Sequence, residues 1–89
     1  MAKAEIGWRR VTADGERLQV YARRVGGDWR FFVRGRRYDR WEAMADPPLE
    51  DWLTLLDAVR RRVARRLFEP QEEERIRRAI RERFPDVEL

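Results

Sequence analysis

Two turn dipeptides divide the first half of the chain into short segments. Asp14-Gly15 is a strong signal for a two-residue β-hairpin, Gly26-Gly27 is a second, and Gly35 marks a weaker third turn. The segments between these turns are rich in β-branched and aromatic residues with partial alternation. They span residues 5–12, 17–24, 28–34 and 37–41. Because short connections join antiparallel neighbours, the sequence predicts a three- or four-stranded antiparallel β-meander over residues 5–42.

The apolar spacing changes to three and four residues after Asp46-Pro47-Pro48. Proline is accepted in the first turn of a helix, and Glu50 and Asp51 follow where the helix dipole favours negative charge. The apolar stripe consists of Leu49, Trp52, Leu53, Leu56, Val59, Val63 and Leu67. It predicts a helix over residues 48–68, which ends near Glu69 because Pro70 disfavours helical geometry in the residue before it.

Pro70 can open a second helix over residues 71–84, with Ile76, Ala79, Ile80 and Phe84 as its apolar side. Residues 85–89 are then a tail. A chain of 89 residues favours one domain, residues 1–89, because two cores would each bury too little apolar surface. The expected fold class is α+β, a β-meander followed by two C-terminal α-helices packed on one sheet face. The helix stripe would meet core residues Ile6, Trp8, Val20, Trp29, Phe31 and Val33.

Composition excludes several classes of active site. The chain contains no Cys, His, Ser or Asn, so disulfides, Ser and Cys nucleophiles and imidazole acid–base chemistry are excluded. Zinc and other soft metals lose their preferred ligands, and only carboxylates, which suit hard cations, remain. The glycines of the chain match neither nucleotide-binding fingerprint. We therefore expect a protein that is not an enzyme and that uses no cofactor or metal. No apolar run approaches the roughly 20 residues of a membrane span, and no signal segment follows Met1, which favours a cytoplasmic protein without membrane contact.

One enzymatic alternative is a small basic ribonuclease that works without histidine. Tyr38, Asp39, Arg40 and Glu42 form a dense polar run that could supply its groups. Adjacent strand residues point to opposite faces, however, so Tyr38 and Asp39 would not converge on one substrate. A charged edge strand that discourages aggregation explains the run better.

The net charge of +4 lies entirely in residues 1–46. Alternation along the predicted strands places aromatic and arginine side chains together on the face that the helices would leave open. The predicted binding residues on this face are Arg9, Tyr21, Arg23, Arg30, Phe32, Arg34, Tyr38 and Arg40. Such a face can simply be solvated, form a protein interface, or stack bases while contacting phosphates. The favoured hypothesis is a non-catalytic binding module for a protein partner or a second copy of itself, with nucleic-acid binding as the alternative.

A secondary basic patch, Arg61, Arg62, Arg65 and Arg66, lies opposite or beside the apolar stripe of the first predicted helix. It could contact phosphates, but arginines late in a helix also complement the helix dipole, which is the favoured explanation. Leu55 and Phe68 fall outside the stripe, and this favours a protein interface; the alternative is that the second helix covers them, which is the favoured explanation for Phe68. The sequence leaves open the identity of the partner, the choice between DNA, RNA and protein, the oligomeric state and the pathway. It also leaves open whether the arginine bias, with Lys3 as the only lysine, is functional or genomic.

Overall fold

The computed structural model describes residues 5–36 and 39–89. The chain forms two units, the first ending at Asp46 and the second beginning at Pro47. The elements are β1 (Glu5–Val11), β2 (Arg17–Val25), β3 (Asp28–Arg34), β4 (Glu42–Met44), α1 (Leu49–Ala64) and α2 (Pro70–Arg83). The predicted α+β class is confirmed, as a four-stranded antiparallel meander followed by two C-terminal helices.

The two predicted hairpins are present, and both depend on glycine. Gly15 has φ 84° and Gly26 has φ 64°, a backbone region in which a side chain is strained. The amide of Gly15 donates to the carbonyl of Thr12 at 2.9 Å, which closes the first turn. As a result β1, β2 and β3 pair as neighbours in the order of the chain.

The fourth strand is displaced from its predicted position at residues 37–41. Strand β4 begins at Glu42 and pairs with β3, placing Ala43 opposite Phe32. The reason is a turn in which the amide of Asp39 donates to the carbonyl of Arg36 and the Asp39 carboxylate accepts from the amide of Arg36, both at 2.9 Å. The described part of the predicted strand, Asp39, Arg40 and Trp41, therefore precedes β4, and residues 37 and 38 lie outside the described residues.

Alternation along β1 to β3 separates a buried face from an exposed one. Ile6, Val20, Trp29 and Phe31 are buried as predicted, Ala22 is buried as well, and the predicted core residues Trp8 and Val33 are half-buried. The opposite side of the sheet is here called the open face. Its members are Glu5, Gly7, Arg9 and Val11 of β1, Arg17, Gln19, Tyr21, Arg23 and Val25 of β2, Asp28, Arg30, Phe32 and Arg34 of β3, and Ala43 of β4.

The buried side of α1 is rotated from the predicted stripe. Leu55 is fully buried, whereas Leu53 is 38% and Leu67 is 65% exposed. The buried positions are Asp51, Trp52, Leu55, Leu56, Ala58 and Val59. Leu55 therefore does not support a protein interface, and Phe68 is half-buried. Apolar residues surround most of the first two turns, so spacing alone did not distinguish the buried side.

Helix α1 ends at Ala64, before the predicted end near Glu69, because the chain closes a Schellman motif there. Arg66 adopts φ 61°, its amide donates to the carbonyl of Val63 at 2.9 Å, and the amide of Leu67 donates to the carbonyl of Arg62 at 2.8 Å. Glycine usually occupies the left-handed position of this motif. Because arginine occupies position 66, the glycine that usually indicates the C-terminal end of a helix is missing from the sequence.

Helices α1 and α2 pack on each other as an antiparallel pair. The guanidinium of Arg83 lies 4.9 Å from the ring centroid of Trp52, and Arg60 reaches Glu73 at 3.9 Å near the other end of the pair. Ile76 and Ile80 of α2 are fully buried. These side chains hold the second unit together.

Candidate binding surface on the open sheet face

The strand register arranges the open face in rows that cross the sheet. The central row is Gly7, Tyr21, Phe32 and Ala43. On one side of it lies the row Arg9, Gln19 and Arg34, and on the other side lies the row Glu5, Arg23 and Arg30. A mostly apolar centre is thus bordered by arginines on both sides.

An aromatic cluster fills the centre of the open face. The ring centroids of Tyr21 and Phe32 lie 4.7 Å apart, and those of Tyr21 and Trp41 lie 4.6 Å apart with an interplanar angle of 69°. Trp41 comes from the segment before β4 and remains 37% exposed. Contacts of this kind add roughly 0.5–1.5 kcal/mol beyond area burial, so the three rings stabilise one another at a partly solvated surface.

Arg34 fixes this cluster in place. Its guanidinium carbon lies 4.3 Å from the ring centroid of Trp41, and its Nε donates to Oε1 of Gln19 at 2.6 Å. The hydrogen bond also orients the Gln19 amide, because Oε1 must accept from Arg34 and the Nε2 group is left to donate elsewhere. The surface is therefore pre-organised before any partner binds.

Arg23 and Arg30 form a pair of like charges directly opposite each other on β2 and β3. Both are exposed, and neither makes an ion pair or hydrogen bond with any residue that the structure describes. Like charges at opposed positions destabilise a sheet by a few tenths of a kcal/mol to about 1 kcal/mol. Because Glu5 lies opposite Arg23 in the same row, an external anion would relieve the repulsion on the Arg30 side of the pair.

A hollow of about 350 Å³ opens on the same face above Gly7. Tyr21 and Trp41 form its aromatic side, Arg9 and Gln19 form one end, and Glu5 lies at the other end. It exists because Gly7 places no side chain between Glu5 and Arg9. The hollow is continuous with the aromatic cluster.

Six of the eight predicted site residues lie together on this face: Arg9, Tyr21, Arg23, Arg30, Phe32 and Arg34. Arg40 is exposed but precedes β4, so the prediction that it lies on a strand is wrong. Tyr38 lies outside the described residues. The sequence did not single out Trp41, Gln19 or Gly7. Trp41 was assigned to the end of a strand, and only the turn at Asp39 brings it back over Tyr21.

The polar run considered for ribonuclease chemistry has a structural role in its described part. The Asp39 carboxylate accepts from the backbone of Arg36 and thereby holds the turn before β4. Among residues 5–36 and 39–89, no group of three or more acidic side chains could hold a metal ion.

Two of the four arginines of the secondary basic patch interact with α1 itself. Arg61 pairs with Asp57 at 3.2 Å, and half-buried Arg62 donates to the carbonyl of Ala58 at 3.1 Å. Arg65 is exposed at the end of the helix, and Arg66 occupies the left-handed position of the Schellman motif. Arg62 borders the buried side of α1, so the expectation that it lies opposite that side is wrong.

Comparisons of the chain with protein-family models, with curated proteins and with solved structures found no match. Within the described ranges, neither helix has the length and apolar character needed to cross a bilayer.

Proposed function

We propose that the protein is a non-catalytic binding module that engages an acidic protein partner through the open face of its sheet. The observation that carries this proposal is the pre-organised aromatic cluster of Tyr21, Phe32 and Trp41, fixed by Arg34 and bordered by exposed arginines. Tyr, Trp and Arg are the residues that contribute most to binding at protein interfaces, typically at a central patch with a polar rim.

The charge of the open face favours an acidic partner over a second copy of the chain. In the described part of β1 to β3, this face carries five arginines and two carboxylates, Glu5 and Asp28. Two such faces brought together would oppose arginine to arginine around a low-dielectric centre. An acidic surface would instead pair with Arg23 and Arg30, which make no ion pair or hydrogen bond with residues 5–36 and 39–89.

Nucleic-acid binding is the second candidate, and the same five arginines favour it. The geometry of the aromatic rings, however, favours nucleic-acid binding less than protein binding. Arg34 covers one face of Trp41, and the planes of Tyr21 and Trp41 meet at 69°, so of the three rings only Tyr21 and Phe32, at 31° to each other, approach a parallel arrangement for bases. A protein partner, in contrast, can bury the exposed edges and the apolar surface of these rings without stacking on their faces.

The discriminating experiment is fluorescence anisotropy with four labelled probes at low and near-physiological salt. The probes are a short peptide rich in Asp and Phe, duplex DNA, single-stranded DNA and RNA. The double variant Arg23→Ala/Arg30→Ala removes the two arginines that lie opposite each other on β2 and β3. The matched control Arg65→Ala/Arg78→Ala removes the same charge from exposed positions on the helical unit.

We expect the acidic peptide to bind at both salt concentrations, and its affinity to fall about tenfold in the sheet variant but not in the helix control. Binding confined to the nucleic acids, with a steep log-linear loss on adding salt, would replace this proposal with the second candidate. Self-association seen by sedimentation and lost in the variant Tyr21→Ala would assign the face to a second copy.

A further inference from the structure

We propose that the hollow above Gly7 is an anchor site for a partner's aromatic side chain that has a carboxylate next to it. This proposal rests on the proposed function, because it assigns a specific ligand chemistry to part of the same face. The hollow has a floor of bare backbone, an aromatic side and two donors at one end. Its volume of about 350 Å³ lies at the low end of the range of small-molecule sites, and because the hollow is shallow and open to solvent, a bound side chain would be held weakly.

Gly7 is not required by the fold. Its φ lies outside the left-handed region, and a Cβ at this position would come no closer than 3.6 Å to the Val20 carbonyl oxygen and 3.8 Å to the Tyr21 Cβ, which are ordinary contacts. Glycine inside a strand weakens it by roughly 0.5–1 kcal/mol relative to alanine. The glycine therefore lowers stability, and what it provides is the open space beside Tyr21 and Trp41.

The ends of the hollow determine how a ligand would lie in it. Arg9 makes no ion pair or hydrogen bond with the described residues, and the Gln19 amide is turned so that its Nε2 group donates away from Arg34. Both groups suit a carboxylate. Glu5 at the opposite end repels one. A bound acid would thus place its carboxylate at the Arg9 end and its ring above Gly7.

The walls favour an aromatic side chain over a nucleotide base. A base sandwiched between two rings needs their planes parallel, whereas the planes of Tyr21 and Trp41 meet at 69° and give an angled corner, so a base could stack on only one of them. An inserted ring can contact one wall by its face and the other by its edge, which is the geometry that aromatic pairs prefer. The phosphate of a nucleotide would use the same donors, so a mononucleotide is the necessary comparison.

The test uses phenylpropionate as the ligand, with phenylpropanol and phenylpropylamine as matched neutral and cationic controls and uridine monophosphate as the nucleotide. Binding is followed through the backbone amide signals of the full chain in NMR titrations. Three variants, Gly7→Ala, Gly7→Val and Gly7→Leu, fill the hollow by steps. Val11→Leu, on the same strand and face but outside the hollow, is the positional control.

We expect phenylpropionate to shift the amides of Gly7, Gln19 and Tyr21 with weak, saturable affinity, and the two controls to bind about tenfold less tightly or not at all. Affinity should fall progressively along the Gly7 series while thermal stability stays equal or rises. The variant Gln19→Glu should remain folded, because its carboxylate can pair with Arg34, but should lose the ligand.

Equal binding of all three phenyl compounds, or no effect of Gly7→Leu, would overturn the anchor site. Tighter binding of the mononucleotide would also overturn it and favour the nucleic-acid candidate. If the acidic peptide bound in an Arg23- and Arg30-dependent manner while Gly7→Leu had no effect, the proposed function would stand and only this inference would fail.

Discussion

At the scale of single residues, two arginines have distinct structural roles. Arg34 stacks on Trp41 and at the same time orients Gln19, a double role that needs a planar group with several donors. Arg66 holds a left-handed backbone conformation that costs an L-residue about 1–2 kcal/mol. The first arrangement serves the open face, and the second terminates α1.

Replacing Arg66 by glycine should stabilise the protein by about 1 kcal/mol, because glycine adopts the left-handed conformation without strain. For a chain of this size the change corresponds to a rise in Tm of about 4–8 °C. Chemical unfolding of the Arg66→Gly variant measures the change in the free energy of unfolding. The adjacent substitution Arg65→Gly is the control, since Arg65 has φ −91° and gains nothing from glycine. Equal destabilisation by both substitutions would contradict the assignment of the Schellman motif.

At the scale of elements, the faces of strands β1 to β3 could be predicted from the sequence, whereas the buried side of helix α1 could not. The period of two and the Gly15 and Gly26 turns placed Tyr21, Phe32 and the arginines on one face, and the observed register agrees. The buried side of α1 could not be deduced from spacing, because Leu53 and Leu55 are equally apolar and tertiary packing decides between them. The hollow could not be predicted, since its wall depends on the turn at Asp39 that returns Trp41 to the sheet.

The rotated face of α1 is tested by two leucines two positions apart. Leu55 is fully buried, so Leu55→Ala should lower the free energy of unfolding by about 2–5 kcal/mol through lost burial and a residual cavity. Leu53 is 38% exposed, and Leu53→Ala should lower it by less than about 1 kcal/mol. Urea titration of both variants gives the comparison. The reverse order would restore the originally predicted stripe.

The opposed arginines Arg23 on β2 and Arg30 on β3 should lower the stability of the sheet, and reversing the charge of one of them should remove this effect. Arg30→Glu creates an opposite-charge pair with Arg23 and should stabilise the sheet by roughly 0.5 kcal/mol. Arg23→Glu should not, because the new carboxylate faces Arg30 on one side and Glu5 on the other. The difference between the two variants should shrink as salt is added. If both reversals changed the unfolding midpoint equally, the two arginines would not interact across the strands.

At the scale of the whole molecule, the charge is divided unevenly between the two units. The net +4 belongs to residues 1–46, whereas residues 47–89 are neutral overall. The helical unit pairs its charges locally, as between Arg77 and Glu73 at 3.0 Å. The open face of the sheet instead keeps Arg9, Arg23 and Arg30 without partners among the described residues. An acidic ligand should therefore bind at the sheet, although arginines are equally numerous in the helical unit.

The most direct measurement is a backbone amide NMR map of the full chain titrated with the peptide rich in Asp and Phe. We predict that the largest shifts fall on Gly7, Tyr21, Arg23, Arg30 and Phe32, with smaller changes at the buried positions between them. Residues of α1 and α2, including Arg61 and Arg65, should shift little. Shifts centred on the helices, or spread evenly over every exposed arginine, would contradict the claim that the open face is the binding surface.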